Sequence, residues 1–119
     1  MRAYKKGYRL EYRVKKEFEK RGWLVVRSGR SLGVADLVVM NQGVTMLLQL
    51  KSTKRDVLYY DGHMHDNYKG FPFFVVANFA KFRKTVVAAP KKKITPSDGI
   101  PLKEFLKRAD ELILLRMER

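Results

Sequence analysis

Two apolar runs, Val34 to Met40 and Val44 to Lys51, are separated only by Asn41-Gln42-Gly43, and this commits the middle of the chain to a β-hairpin. With Gln42 and Gly43 as the central turn residues, Asn41 pairs with Val44 and, counting back along both strands, Asp36 pairs with Gln49. A bulged three-residue turn would shift that register. Strand alternation puts Gln49 and Lys51 on one face and Leu48 and Leu50 on the other, so Asp36, Gln49 and Lys51 converge.

The flanking segments supply the rest of a small α/β domain. From Lys5 to Arg21, Leu10, Val14 and Phe18 recur at helical spacing among Lys, Arg and Glu, and Gly22 follows as a stop signal. Glu11 stands at the border of that apolar stripe, positioned either to serve a site or to pair with Lys15 one turn on. Trp23 to Arg27 reads as a strand, followed by a turn-rich loop, Ser28-Gly29-Arg30-Ser31-Leu32-Gly33, whose hydroxyls, glycines and arginine suit a close approach to phosphate. Phe71 to Asn78 and Thr85 to Ala89 are further strands, joined by the basic Lys81-Phe82-Arg83-Lys84. Thr95-Pro96-Ser97-Asp98-Gly99 is turn chemistry. It leads to an amphipathic helix from Pro101 to about Arg116, carrying Leu102, Phe105, Leu106, Ala109, Leu112 and Ile113. The polar and aromatic segment Ser52 to Gly70 reads as a loop with at most a short helix. Its Asp61, His63, His65 and Asp66 lack the spacing of a zinc site. The expectation is one domain over residues 1–119, with five strands between two helices.

Charge narrows the partner. With 26 Lys and Arg against 12 Asp and Glu, the chain carries a net +14, a field that calls for a polyanion, nucleic acid before a membrane surface. Arg27, Ser28, Arg30, Ser31, Lys54, Arg55 and the run Lys91-Lys92-Lys93 are the candidate DNA-binding residues. Cysteine is absent, which excludes disulfides, thiolate metal sites and cysteine nucleophiles. No stretch approaches the ~20 apolar residues of a membrane span, and the basic start leads into a charged helix instead of a signal-peptide core. A cytoplasmic, DNA-associated protein is expected.

A helical carboxylate, an aspartate opening one hairpin strand and a Gln-x-Lys ending the next form the pattern that metal-dependent phosphodiester hydrolysis requires. Oxygen ligands hold Mg²⁺ or Mn²⁺, and the lysine stabilises charge near an attacking water. At these residues the chain resembles the restriction-endonuclease-like superfamily and, within it, the archaeal Holliday junction resolvases. The likeness runs through Glu19-Lys20-Arg21-Gly22-Trp23-Leu24-Val25-Val26-Arg27-Ser28, Val34-Ala35-Asp36-Leu37-Val38 and Leu48-Gln49-Leu50-Lys51-Ser52-Thr53-Lys54, and returns at Thr95-Pro96-Ser97-Asp98-Gly99.

The resemblance implies a mixed α/β sheet flanked by helices and a homodimer that resolves four-way DNA junctions. It also implies roles for individual residues. Glu11 becomes the helical carboxylate, Asp36 the central metal ligand, Ser31 a hydroxyl near the scissile phosphate and Lys51 the catalytic lysine, with the carbonyl of Leu50 completing the metal shell. Gln49 stands where the family has a second acidic ligand and offers an oxygen without charge. The segment between Tyr60 and Phe71 is also shorter than the helix this family usually has there. The alternative is a branched-DNA-binding protein of the same fold that cleaves weakly or not at all.

Overall fold

A computed structural model of the chain describes residues 2–28 and 33–117, the side chains of 2–8, 116 and 117 excepted. Helix α1 (Arg2–Lys20) leads into β1 (Leu24–Arg27), β2 (Leu37–Asn41) and β3 (Val44–Thr53). The short strands β4 (Leu58–Tyr59) and β5 (Asn67–Tyr68) follow. Then come β6 (Phe71–Phe79), β7 (Lys84–Ala88), β8 (Lys93–Ile94), β9 (Ile100–Pro101) and helix α2 (Leu102–Met117). The main sheet runs β1-β2-β3-β6-β7-β9, with β5 added alongside β6. Its pairings are antiparallel except β3 with β6, so the sheet is mixed. The five longer strands are those expected from the apolar runs, and the domain has the expected restriction-endonuclease-like α/β architecture.

The β2–β3 hairpin takes the register of a two-residue turn, Asn41 opposite Val44 and Leu37 opposite Leu48. Gln42 and Gly43, at φ 48° and 83°, both lie in the left-handed region that a type I′ turn requires. Lys69 and Gly70, at φ 51° and 88°, make the same kind of turn between β5 and β6. The segment from Ser52 to Gly70 therefore contains the last two residues of β3, two short strands and no helix.

Both helices cover one face of the sheet. Leu10, Val14 and Phe18 of α1 and Leu102, Leu106, Ala109 and Ile113 of α2 join Val25, Leu37, Val39, Met46, Leu48, Val76 and Val87 in one buried layer. Phe18 is fully buried, edge-on to Trp23 at 5.6 Å, and its truncation to alanine would cost about 3–5 kcal/mol. The opposite face, with Leu47, Phe73, Val75, Ala77, Val86 and Ala88, is covered by Leu58, Tyr60 and Ile94 from the connecting segments. Alternation along β3 thus sends Leu48 toward the helices and leaves Gln49 and Lys51 on the other side. Leu112 projects from the α2 stripe to the surface, 48% exposed.

Candidate active site

Asp36 sits one residue before β2, where the ladder with β3 has run to its last regular pair. Its amide donates to the carbonyl of Leu48 at 2.8 Å, and its own carbonyl accepts from Ser28 at 3.0 Å. The backbone is held on both sides, so the direction of the side chain is fixed. Oδ2 then accepts two hydrogen bonds, from the Leu50 amide at 2.8 Å and from Nε2 of Gln49 at 2.8 Å. The pairing of Asp36 with Gln49 expected from the hairpin register is present as a direct contact.

Electrostatics tie Glu11 and Lys51 to the same carboxyl. Burial pushes the Asp36 pKa above its ordinary value and the charge of Glu11 adds to the rise, while the Leu50 amide and the Lys51 ammonium offset part of it. Lys51 is exposed and Glu11 half-buried, its carboxylate engaged by the guanidinium of Arg27 at the end of β1. Lys15, the alternative partner of Glu11, lies 3.9 Å from Glu19 instead. Arg27, an expected DNA-binding residue, therefore also holds the helical carboxylate.

Other candidates take different positions. Ser28 turns its hydroxyl onto the carbonyl of Ala35. Arg30 and Ser31 lie outside the described residues. Lys54 and Arg55 are exposed just past the end of β3. In the basic run, Lys91 binds Asp98 at 2.7 Å, Lys93 lies 5.9 Å from the centre of the Tyr59 ring, and the Lys92 carbonyl accepts from the Tyr60 amide at 2.8 Å. Among the described residues no three His, Cys, Asp or Glu side chains converge on a point where they could hold a metal ion. His63 instead binds the Asn67 carbonyl at 2.7 Å and packs edge-on to Phe73 at 4.7 Å.

Tyr60 belongs to the surroundings of the site, although nothing in its sequence context singles it out. It is 3% exposed, its hydroxyl donates to the His63 carbonyl at 2.9 Å, and burial, then the charges of Asp61 and Asp36, push its pKa up to about 12. It stays a neutral phenol beside Asp36 at any physiological pH. Arg13, from the other flank of α1, binds Thr85 at 2.8 Å and Asn78 at 3.3 Å across the sheet end. Such long-range partners are visible only once β6 and β7 are in place.

A mixed sheet that holds an aspartate, an amide and a lysine at the end of a central hairpin, with a helical glutamate beside them, belongs to the restriction-endonuclease-like class. A family model, archaeal Holliday junction resolvase, matches residues 2–71, and the chain belongs to that family. No match to the chain was found among curated proteins. Membership makes the protein a nuclease of the junction-resolvase type, a class that acts on DNA. No helix among the described residues is long and apolar enough to cross a membrane.

Proposed function

We propose that the protein cleaves four-way DNA junctions by Mg²⁺- or Mn²⁺-dependent phosphodiester hydrolysis at the Asp36 site. The observation that carries this reading is the half-buried Asp36 carboxyl, held in one orientation by Leu50 and Gln49 and close to both Glu11 and Lys51. The donors fit a hard divalent cation, because the Asp36 and Glu11 carboxylates, the Gln49 amide oxygen and the Leu50 carbonyl are all oxygen ligands. The negative charge of Glu11, which adds to the raised proton affinity of Asp36, also fits, since a cation relieves that repulsion. When bound, such an ion polarises a phosphate oxygen and acidifies a water.

The chain's own residues would do the remainder. Asp36 and Glu11 supply the negative charge that recruits the ion, and Tyr60, its pKa pushed up to about 12, adds no charge of its own near them. The Lys51 ammonium stabilises charge building on the phosphate. Ser31 would lie near the scissile phosphate. Lys54, Arg55, Lys92 and Lys93 extend the phosphate-neutralising surface. Action as a homodimer is supported by apolar side chains left at the surface, among them Leu114 and Leu115 on α2, 60% and 61% exposed.

Gln49 favours a second reading, a junction-binding protein with little cleavage. Its amide nitrogen donates to Asp36, and its oxygen brings no charge to a cation. A four-way junction and a matched linear duplex, each incubated with protein and Mg²⁺ or Mn²⁺ and run on a denaturing gel, separate the two. Paired symmetric nicks in the junction support the nuclease. Binding without nicks in either metal supports the second reading.

A further inference from the structure

On the helix-covered face of the sheet, the positions that continue Leu50, Val76 and Val87 beyond the core are Ser52, Asn78 and Thr85. They lie side by side, Ser52 opposite Asn78 and Asn78 opposite Thr85, so an apolar layer ends in a row of neutral polar groups. Arg13 closes over that row. Its guanidinium donates to Thr85 Oγ1 at 2.8 Å and Asn78 Oδ1 at 3.3 Å. The Thr85 hydroxyl donates to Asn78 Oδ1 at 3.0 Å, and Asn78 Nδ2 donates to Ser52 Oγ at 3.2 Å. Among the described residues no carboxylate comes within 4.0 Å of Arg13. The cation is held by neutral partners, which fix its position without cancelling its charge.

Two open grooves meet at this arginine. One, of about 310 Å³, adds Arg9 to the polar row, and the other, of about 380 Å³, adds Arg83, Lys84 and Lys103. The acid in the second lining, Glu17, is paired with Lys20 at 3.4 Å. Arg83 holds φ at 52°, a left-handed conformation that glycine adopts without strain and arginine does not.

We propose that Arg13, held by the Ser52–Asn78–Thr85 row and joined by Arg83, seats a backbone phosphate of the bound DNA at a point separate from the Asp36–Lys51 site, on the opposite face of the same sheet end. A phosphate is the group this chemistry selects. A guanidinium fork takes its oxygens two at a time, and hydroxyl and amide N–H groups donate to the remainder. A single anionic side chain of another protein would answer Arg13 alone, whereas cations on both sides of it match the repeated charge of a nucleic-acid backbone. Lys51 and Ser52 are consecutive in β3 and point to opposite faces, so a strand passing the end of the sheet meets both sites.

The inference rests on the reading of the protein as a DNA nuclease, and the test separates the two. Arg13→Gln keeps hydrogen-bonding capacity toward Thr85 and Asn78 and removes the charge, while Arg83→Gly removes a cation and relaxes the turn. Binding of a four-way junction is measured by fluorescence anisotropy in chelator over a salt series, with unfolding midpoints recorded for each variant. Each variant should bind about tenfold more weakly at low salt, with a log-affinity against log-salt slope shallower by about one. Arg83→Gly should do so with an unfolding midpoint equal to or above the parent's. A single neutral methylphosphonate at the seated linkage should weaken the parent and leave Arg13→Gln unaffected. Parental slopes in both variants, with the parent binding normally, would overturn the phosphate seat alone and leave Arg13 a structural clamp. A parent protein that binds DNA without salt dependence would overturn both the nuclease reading and the seat.

Discussion

Nε2 of Gln49 donates to Oδ2 of Asp36 at 2.8 Å, the same oxygen that accepts the Leu50 amide, so the side chain of Gln49 helps to hold the aspartate. A glutamate there would face Asp36 as a like charge. In chelator at neutral pH, Gln49→Glu should therefore destabilise the fold by about 1–2 kcal/mol, through the lost hydrogen bond and the added repulsion. The same substitution should lower the Mg²⁺ or Mn²⁺ concentration needed for half-maximal cleavage. Denaturant unfolding and a metal titration of cleavage check the two halves, and an unchanged titration would mean that Gln49 does not touch the ion.

Asp36 also makes stability depend on pH in a defined direction. Its folded pKa lies above the ordinary value of 3.8, so folding favours the protonated form. That contribution is complete below 3.8 and is lost as pH rises through the folded pKa. Asp36→Asn removes the cost of burying the charge. In chelator its melting temperature should exceed the parent's at pH 7, and the gap should close as pH falls toward 3.8. Melting curves across that range decide it, and a variant less stable than the parent at pH 7 would contradict the direction.

The difference between what the sequence announces about this site and what it conceals follows from the range of the interactions. Gln42-Gly43 fixes the hairpin locally, so the meeting of Asp36 and Gln49 is legible from turn chemistry and strand period. Glu11 at the border of a helical stripe is legible for the same reason, but its partner Arg27 is not, because that pairing depends on how α1 crosses β1. Tyr60 and Arg13 reach their neighbours only through the packing of distant strands, which leaves no periodic trace in either segment. The strands β4 and β5 were hidden in an apparent loop, because two-residue strands are defined by their partners and not by their own composition.

Asp98 gives a second pH signature with the opposite sign. The Lys91 ammonium, then the Thr95 amide and hydroxyl, hold its carboxyl at about 2, within a capping box that sets the turn before β9 and α2. Its contribution is complete above 3.8 and is lost as pH falls through about 2. Asp98→Asn should lower the melting temperature at pH 7, with the difference from the parent vanishing between 3.8 and about 2. Lys91→Ala should reproduce part of the loss at pH 7, which salt titration of the parent would also reveal.

The most direct measurement of the account follows cleavage and binding together. End-labelled four-way junction is incubated with parent, Asp36→Asn or Lys51→Ala in Mg²⁺ and in Mn²⁺, with junction affinity measured in parallel in chelator. Loss of cleavage in both variants, with affinity within a few-fold of the parent's, is the predicted result, because neither side chain supplies much of the phosphate-neutralising surface. Cleavage by Asp36→Asn at the parental rate would contradict the assignment of the site.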